Sequence, residues 1–420
     1  MKNTFNRREF LATSTAATAL TLAGLTAAAR AAGANERLSV GIVGPGQRGP
    51  DLVDYVLEHS KEHPAELTAV CDIWSRNRER GVDNVKRKTG RAPRAFQRFE
   101  DMLAWDGLDA VIIATPDHAH ARHLTMALKA GKHVYCEKPF ANVLADANEA
   151  VDTWRASGKV ATVGTQMRSD PRHIATAEAV RSGVIGPIVK VERFFSTYSP
   201  YRWRRANEIK LLKEQDTDWK AWLMGKPERP FDPRLYLEFR LFPEFSSGVI
   251  DQWMSHGIDA VHMVTGAKFP QSVVAHGGTY AWKDGRENGD TAHVLLDYPE
   301  GFLCSHTTTL ANSFGTGGWI QGQAGTIEYG GSNWRISGDG VTNSKLEARP
   351  IKFKEGHRGD GNASLHIQNW LECVHKGQRQ TNCTPEHGYY GAVACIMATQ
   401  ALHTGRRMLF DEKARVIREG

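Results

Sequence analysis

Apolar residues in the first 165 positions fall into short runs, separated by longer amphipathic stretches. The runs are VGIV (40–43), LTAVC (67–71), DAVIIA (109–114), HVYC (133–136) and KVATVG (159–164). They are apolar without alternation, as expected of parallel strands covered by helices on both faces. Between the third and fourth runs, residues 121–128 carry apolar positions at helical spacing, and Gly131 follows as a terminating glycine. The pattern predicts an α/β domain with a parallel sheet.

After a helical segment at 173–183, strand patterns dominate. Segments 189–197, 272–280, 291–310, 318–331 and 345–353 are rich in β-branched and aromatic residues, with turn residues between them. Two helical blocks follow at 363–377 and 388–405. We expect a dinucleotide-binding domain at 36–165, an α+β domain with a mainly antiparallel sheet at 166–360, and C-terminal helices at 361–420.

Length and charge agree with two domains and limit the partners. A chain of 420 residues exceeds one ordinary core, and 41% apolar with 24% charged residues is typical of globular proteins. The net charge of +6 includes three arginines of the N-terminal segment discussed below, and no stripe of clustered Lys and Arg occurs. No nucleic-acid partner is therefore expected.

The first apolar run opens a glycine loop. Gly44, Gly46 and Gly49 have the G-x-G-x-x-G spacing, with Gln47 and Arg48 between the last two. Such glycines permit a tight turn, the approach of backbone N–H groups to a pyrophosphate, and close packing of helix on strand. Flavoproteins and methyltransferases share this spacing.

Asp72 makes the dinucleotide interpretation more specific. It ends the second run, 23 residues beyond Gly49, where a carboxylate would bind the ribose hydroxyls. A carboxylate there repels a 2′-phosphate, so NAD is favoured over NADP, although Arg76 and Arg78 would soften that preference. The alternative is an ordinary turn aspartate.

Three further motifs follow in order: ATPDHAHA at 114–121, AGKHVYCEKP at 130–139 and VGTQMRS at 163–169. With the glycine loop they resemble the Gfo/Idh/MocA oxidoreductase family. The resemblance implies a Rossmann domain, a second domain whose open sheet faces the nicotinamide, and sugars or polyols as substrates. It makes Lys138 the reactive lysine and extends the cofactor site to a further set of residues: Thr115, Pro116, His118, His120, Glu137 and Gln166.

A second cluster, SSGVIDQWMSHGIDAVHMVTG at 246–266, resembles the family's substrate-facing helix. Asp251 and His256 are the candidate catalytic residues there. They are five residues apart, about 140° on a regular helix, so either the helix begins after Asp251 or a bulge intervenes. His256 is the expected base and Lys138 would hold the reacting oxygen. The alternatives are a buried, partnered histidine and an exposed lysine.

Two groups of residues contain metal-ligand types: His256, Asp259 and His262, and separately Asp117, His118 and His120. Neither has a zinc-site spacing, and His256 and His262 would point to opposite sides of a helix. No metal is expected.

Residues 1–31 are typical of a twin-arginine signal peptide. Asn-Arg-Arg-Glu-Phe-Leu at 6–11 precedes a weakly apolar stretch and Ala29-Arg30-Ala31, which predicts cleavage after Ala31 and export to the periplasm or beyond. A membrane-anchoring helix is the alternative, but the stretch is too short and too weakly apolar. No anchor is expected after cleavage, and all six cysteines are expected to be reduced.

The segment 199–245 is an insertion rich in Trp, Arg and Pro. We expect an ordered loop with one short helix, capped by Asp216 or Thr217 and ended by Gly225. Trp203, Trp219 and Trp222 would present flat faces to a sugar if the segment is a substrate lid. The alternative, of equal weight, is a loop that covers the sheet or a neighbouring subunit.

The expected function is NAD-dependent oxidation or reduction of a carbinol in a sugar, polyol or glycoside, with tightly bound NAD. One alternative is redox-assisted glycoside cleavage, although the motif of that group is missing around DQWMSHG. Another is a secreted sugar-binding protein. A homo-oligomer formed through the C-terminal sheet is also expected.

Overall fold

A computed structural model describes residues 37–331, 333–353 and 361–420. The predicted signal peptide at 1–31 lies outside the described residues. Ser39–Gly420 form one compact unit, and no described helix is long and apolar enough to cross a membrane.

The first domain is built on a six-stranded parallel sheet with strand order β3-β2-β1-β4-β5-β6. The strands are β1 (Leu38–Val43), β2 (Ala65–Cys71), β3 (Arg94–Phe96), β4 (Ala110–Ile113), β5 (His133–Cys136) and β6 (Ala161–Val163). The helices are α1 (Gly49–His59), α2 (Ser75–Thr89), α3 (Phe99–Leu103), α4 (His120–Lys129) and α5 (Leu144–Ser157). All residues of β4 are buried, as the unalternating apolar run predicts. The order reverses between β1 and β4, so their carboxyl ends form the crevice where such sheets bind ligands.

The second domain carries a ten-stranded sheet with strand order β14-β13-β12-β11-β7-β10-β9-β8-β15-β16. Its strands are β7 (Ile188–Tyr198), β8 (Ser272–Gly278), β9 (Thr291–Tyr298), β10 (Phe302–Thr309), β11 (Ala311–Gly322), β12 (Gly325–Gly330), β13 (Asn333–Gly338), β14 (Arg349–Pro350), β15 (Met408–Asp411) and β16 (Val416–Glu419). Pairing is antiparallel throughout the described ladders except between β7 and β10, which are parallel. The predicted fold class is confirmed.

Within the described residues, seven α-helices accompany this sheet. They are α6 (Pro171–Arg181), α7 (Ala206–Ile209), α8 (Trp219–Leu223), α9 (Pro233–Leu237), α10 (Ser255–Thr265), α11 (Gly361–His375) and α12 (Pro385–Thr404). A π-helical turn, Ile250–Met254, leads directly into α10.

The C-terminal segment differs from the prediction for 361–420. Helix α11 packs on α1 and β5 of the first domain, whereas α12 packs against both α5 and β8 and so joins the two domains. The chain then adds β15 and β16 to the edge of the second sheet. Each of these strands has only four residues, too few to give a recognisable alternation.

A buried ion pair joins the end of the first domain to helix α10. Arg168 Nε donates to Asp259 Oδ1 at 2.7 Å, and both side chains are almost completely buried. On the neighbouring helix, His366 Nδ1 lies 2.7 Å from Ser169 Oγ, and its Nε2 lies 2.9 Å from the Val163 carbonyl. The end of the parallel sheet and the helix bearing His256 are thereby held in one arrangement.

The insertion 199–245 is ordered and forms its own apolar cluster with the first domain. Trp219 and Trp222 stack with ring centroids 4.8 Å apart, Trp222 stacks on Tyr236 at 5.4 Å, and Trp74 meets Tyr236 edge-on. Helix α8 is capped by Asp218, whose Oδ1 accepts from Ala221 N, and not by Asp216 or Thr217. The cluster attaches the insertion to the loop that follows Asp72.

All six cysteines are buried and free, as expected for reduced thiols.

Candidate active site

The glycine loop forms one end of a cavity of about 1480 Å³. Gly44 has φ +80°, and a Cβ there would lie 2.6 Å from the Ala114 carbonyl oxygen. Glycine is therefore required where β1 passes β4. Helix α1 begins at Gly49, so its N-terminus supplies free N–H groups and partial positive charge at the loop. This end of the cavity fits a dinucleotide pyrophosphate.

Asp72 lines the same cavity and is buried. Its Oδ1 accepts from Trp74 N at 2.8 Å. Burial raises the pKa of the Asp72 carboxyl to about 7, against the lowering effect of hydrogen bonds from Trp74 and Asn77. Arg78 donates to the Asp72 carbonyl at 2.8 Å, so one of its guanidinium nitrogens is bound to the backbone. Arg76, in contrast, lines the cavity.

Most of the other predicted cofactor residues also lie around this cavity. Gly44, Gly46, Gln47, Arg48, Thr115, Pro116 and His118 line it. Glu137 reaches it indirectly, because its Oε1 accepts from Arg48 Nε at 3.1 Å. Gly49 lies behind the loop, with Ile42 and the Gly44 carbonyl within 3.2 Å of its absent Cβ.

His120 and Gln166 do not line the cavity. The Nδ1 atom of His120 lies 2.8 Å from the Pro139 carbonyl and its Nε2 lies 2.7 Å from the Thr115 carbonyl. Burial lowers the pKa of His120, so the neutral ring donates to one of these two carbonyls while it lies between the loops after β4 and β5. A role of His120 in cofactor binding remains a prediction and would be indirect, as would one of Gln166.

The insertion supplies the opposite wall of the dinucleotide cavity. Residues 221–226 contribute to its lining, together with Tyr236, Leu237, Phe239 and Arg240. The His118 ring lies 4.9 Å from Trp222, and its Nε2 lies 2.9 Å from the Trp222 carbonyl. Burial lowers the pKa of His118 to about 4, so the ring is neutral and acts in packing. The prediction that Trp219 and Trp222 are sugar platforms is wrong, because their faces pack against each other and against Tyr236.

Lys138 is held by a residue that the sequence did not single out. Its Nζ donates to Gln252 Oε1 at 2.8 Å, and Gln252 Nε2 donates to Asp117 Oδ2 at 2.7 Å. Asp117 also accepts from Ser246 Oγ at 2.6 Å, and its Oδ1 lies 3.4 Å from an Arg240 nitrogen. Desolvation lowers the pKa of Lys138 to about 8, an effect that Arg240 assists and Asp117 opposes. The ammonium is therefore charged at neutral pH, near its titration point.

The five-residue spacing of Asp251 and His256 is resolved by the π-helical turn Ile250–Met254. Such a turn adds one residue to the helical repeat, which is the bulge that the spacing allowed. Asp251 Oδ2 accepts from Ser247 N at 2.6 Å. Burial and the nearby Asp117 carboxylate raise the pKa of Asp251. Its Oδ1 has no hydrogen-bond partner among the described residues.

A second cavity, of about 270 Å³, contains two of the three candidate catalytic side chains, Lys138 and His256. It is lined by Lys138, Gln252 and His256, and further by Trp203 and Trp253, whose rings stack at 5.4 Å. Trp203 is thus at the position expected of a substrate contact. Burial and the positive charge of Lys138 lower the pKa of His256 well below its usual value, so the ring is neutral at pH 7. Asp251 lies behind this cavity and does not line it.

The two metal hypotheses can be compared with the geometry. Asp259 pairs with Arg168, and His262 Nε2 lies 2.8 Å from the Tyr298 hydroxyl. Asp117 is engaged by Ser246 and Gln252. Across the described ranges, no group of three or more His, Cys, Asp and Glu side chains is arranged to hold a metal ion.

Comparisons with known proteins agree with this architecture. A family model described as an oxidoreductase family with an NAD-binding Rossmann fold matches residues 38–165. Its companion, the C-terminal alpha/beta domain of the same oxidoreductase family, matches residues 228–409. The chain belongs to the Gfo/Idh/MocA family, and its first domain is an NAD-binding domain.

Individual curated relatives match only part of this chain. An inositol 2-dehydrogenase of Rubrobacter xylanophilus is 36% identical over 155 residues, which are 37% of this chain and 42% of that protein. A glycosyl hydrolase family 109 protein of Shewanella baltica is 24% identical over 220 residues, 51% of this chain and 44% of that protein. The matches thus span less than half of either curated relative.

Among solved structures, a levoglucosan dehydrogenase in complex with NADH and levoglucosan superimposes with a TM-score of 0.67 at 17% identity. The superposition covers 89% of this chain and 99% of that one. It shows that the two proteins share a fold.

Replacement of Asp72 tests the ribose end of the site. Asp72→Ala should weaken NAD binding about tenfold or more, since a charged hydrogen-bond acceptor is lost. It should also narrow the preference for NAD over NADP. Because the carboxyl titrates near pH 7, the wild-type preference should be stronger at pH 8 than at pH 6.

Nucleotide affinities are measured by fluorescence titration at both pH values. Asp72→Asn is the matched control, since it keeps an acceptor for Trp74 N but removes the charge and should lose the part of the pH dependence that arises from Asp72. Unchanged affinities for both nucleotides in Asp72→Ala would remove this residue from the site.

Proposed function

We propose that the protein is an NAD-dependent oxidoreductase that acts on a carbinol of a sugar, polyol or glycoside. The observation that carries this proposal is the presence of Lys138 and His256 in one small cavity. Two sets of side-chain contacts join residues of this cavity or next to it to residues that line the dinucleotide cavity. Glu137, next to Lys138, binds Arg48, and Arg240 pairs with the Asp117 carboxylate that holds Gln252.

The residues of the cavity are suited to separate tasks. Bound NAD would accept a hydride from the carbinol carbon or return it. The neutral imidazole of His256 accepts the hydroxyl proton in oxidation. The Lys138 ammonium donates a hydrogen bond to the same oxygen and stabilises negative charge developing there. Asp251 is partly protonated near neutrality because its pKa is raised. Its ionised fraction raises the pKa of Lys138.

The role of Lys138 can be tested by two substitutions. Lys138→Met should retain the fold and the nucleotide but lose about a hundredfold or more in turnover, as expected when a positioned electrostatic group is removed. Wild-type kcat/KM for oxidation should fall above about pH 8, as the ammonium loses its charge. In Lys138→Arg, which stays charged, that falling limb should be absent.

Turnover is followed by nicotinamide absorbance on a panel of aldoses, polyols and methyl glycosides. Lys138→Met within threefold of wild type would contradict the assignment. A protein that binds sugars but turns over none of the panel would instead be a sugar-binding protein.

A second candidate is redox-assisted glycoside cleavage, which the match to a glycosyl hydrolase family 109 protein favours. Transient oxidation of the sugar acidifies the neighbouring C–H bond, elimination releases the aglycone, and the product is reduced again. A nitrophenyl glycoside separates the two activities, because only cleavage releases nitrophenol without net change in nicotinamide absorbance.

We further propose that the protein is exported by the twin-arginine route with its NAD already bound. Outside the cytoplasm a released nicotinamide cofactor could not be replaced, so the cofactor has to be reset while bound, by a second substrate or by the enzyme's own intermediate. The insertion supports retention, because it walls the dinucleotide cavity and is attached to the first domain through Arg122, which donates to the Met224 carbonyl and pairs with Asp146 at 3.0 Å.

The exported protein should therefore contain close to one NAD(H) per chain after extensive desalting. Nucleotide is measured after denaturation, in protein recovered from the periplasm or medium. Arg122→Ala should release nucleotide faster, whereas Arg91→Ala, which breaks an exposed pair with Glu66, should not. Nucleotide-free exported protein, or export that survives replacement of Arg7 and Arg8 by lysine, would contradict this proposal.

We also propose a homo-oligomer formed through the outer face of the ten-stranded sheet. Leu295, Leu303 and Trp319 alternate with buried neighbours along three strands and are 36–42% exposed, and Phe314 beside them is 76% exposed. Apolar surface of this kind marks an interaction site. Light scattering should show an oligomer that Leu303→Lys weakens, and a wild-type monomer would contradict the proposal.

A further inference from the structure

The cavity that contains Lys138 and His256 is strongly positive. Three of its lining residues are cations, Lys138, Arg193 and Arg202, and none of its lining residues is acidic. Its two histidines add no further positive charge, since burial lowers the pKa of His306 to about 3 and that of His256 well below its usual value. The Lys138 ammonium donates to Gln252, and Gln252 in turn donates to the Asp117 carboxylate. The two arginines are not needed for that arrangement.

Arg193 lies at the floor of the cavity. It belongs to β7 and is 7% exposed. In the part of the chain that the structure describes, no carboxylate forms an ion pair with it; its guanidinium lies over the Tyr329 ring, 4.9 Å from the centroid. A buried arginine usually has a carboxylate or phosphate partner, because desolvating the charge is costly. This one borders the cavity of Lys138 and His256, and its guanidinium also contacts the Tyr329 hydroxyl on its other side.

Gly257 places Arg193 beside the catalytic histidine. A Cβ on this glycine, the residue after His256, would lie 3.3 Å from Arg193 Nε and 2.9 Å from the His306 ring. The missing side chain lets helix α10 approach β7 closely. The guanidinium is therefore next to the helix turn that carries the candidate base.

Arg202 lies at the exposed rim. Its guanidinium is 5.3 Å from the centroid of Trp253, which also lines the cavity. It pairs with no carboxylate of the described residues, and burial together with the positive charges of Arg240 and Arg205 lowers its pKa. An anion entering the cavity would thus meet a positive group at the entrance and another at the floor.

We propose that the substrate is a sugar acid, whose carboxylate is bound by Arg193 and guided by Arg202 while its carbinol lies at Lys138 and His256. This assignment rests on the proposed function for the reaction but not for the binding of the acid. The planar guanidinium fork matches a carboxylate through two parallel hydrogen bonds. A cavity of about 270 Å³ limits the ligand to a single sugar unit or the end of a chain.

The test is binding of matched ligands to the NADH-loaded protein, measured by calorimetry. Glucuronate, galacturonate and mannuronate are each compared with the neutral hexose of the same configuration and with the uronate methyl ester, which keeps the shape without the charge. Hexose 6-phosphates form a further arm, to separate a carboxylate from a phosphate. The variants are Arg202→Ala, at the exposed rim, and Arg193→Gln, with thermal unfolding and NADH content as checks of folding.

At least one uronate should bind about tenfold or more tightly than its hexose and its ester, as a charge-assisted bidentate contact implies. Either variant should remove most of that difference, with a smaller effect on the affinity for the neutral hexose. Equal binding of acid and hexose, stronger binding of the phosphates, or a preference that survives both substitutions would overturn the proposal. If Arg193→Gln does not fold, Arg202→Ala decides alone.

The same ligands distinguish failure of this proposal from failure of the proposed function. Selective uronate binding without nicotinamide reduction would sustain the acid site and contradict the oxidoreductase role. Turnover of neutral sugars with no preference for acids would do the opposite.

Discussion

A lysine placed between two domains needs protein atoms to take over the hydration of its ammonium group, and here the Gln252 amide does so. Its oxygen accepts from Lys138 and its nitrogen donates to Asp117, so one planar group joins the loop after β5 to the loop after β4. Because the Gln252 amide is neutral, it accepts a hydrogen bond from the Lys138 ammonium without cancelling its positive charge. The lowered pKa of Lys138 depends on that choice, because a carboxylate in contact with the ammonium would raise it.

A π-helical turn at Ile250–Met254 carries the residue that makes this contact and leads directly into the helix of His256. Gln252 and His256 are four residues apart and line one cavity. Asp251 accepts a hydrogen bond from the backbone of Ser247 and does not line that cavity. The helix can then pack against β7 because residue 257 is glycine. A departure from regular structure thus coincides with the chemistry, as is common for π-turns.

The first domain was largely predictable because its signals are local. Strands buried on both faces are uniformly apolar, and the glycines and Asp72 act through backbone geometry at fixed spacing. Strands β3, β15 and β16 were missed because they are as short as β4, β5 and β6 but partly exposed, so they lack a uniformly apolar run. Gln252 was missed because an amide between two charged groups has no sequence signature, and Asp117 was weighed only as a metal ligand. Trp content predicted an ordered insertion but not that Trp219 and Trp222 would pack against each other and Tyr236.

The insertion contributes residues to the walls of both cavities. The aromatic cluster attaches residues 199–245 to the loop after Asp72, and the same segment contributes Trp222 to the dinucleotide cavity and Trp203 to the smaller one. Changes in this segment would therefore affect cofactor retention and substrate access together. This arrangement supports the proposal that the cofactor stays bound while substrates exchange.

The central claim is that the carbinol reacts between Lys138 and His256. A crystal structure of the protein with NADH and a turned-over substrate measures this directly. The account predicts the reacting oxygen within about 2.6–3.2 Å of both Lys138 Nζ and an imidazole nitrogen of His256. A substrate bound in the cavity with its reacting carbon at the nicotinamide but its oxygen directed away from both side chains would contradict it.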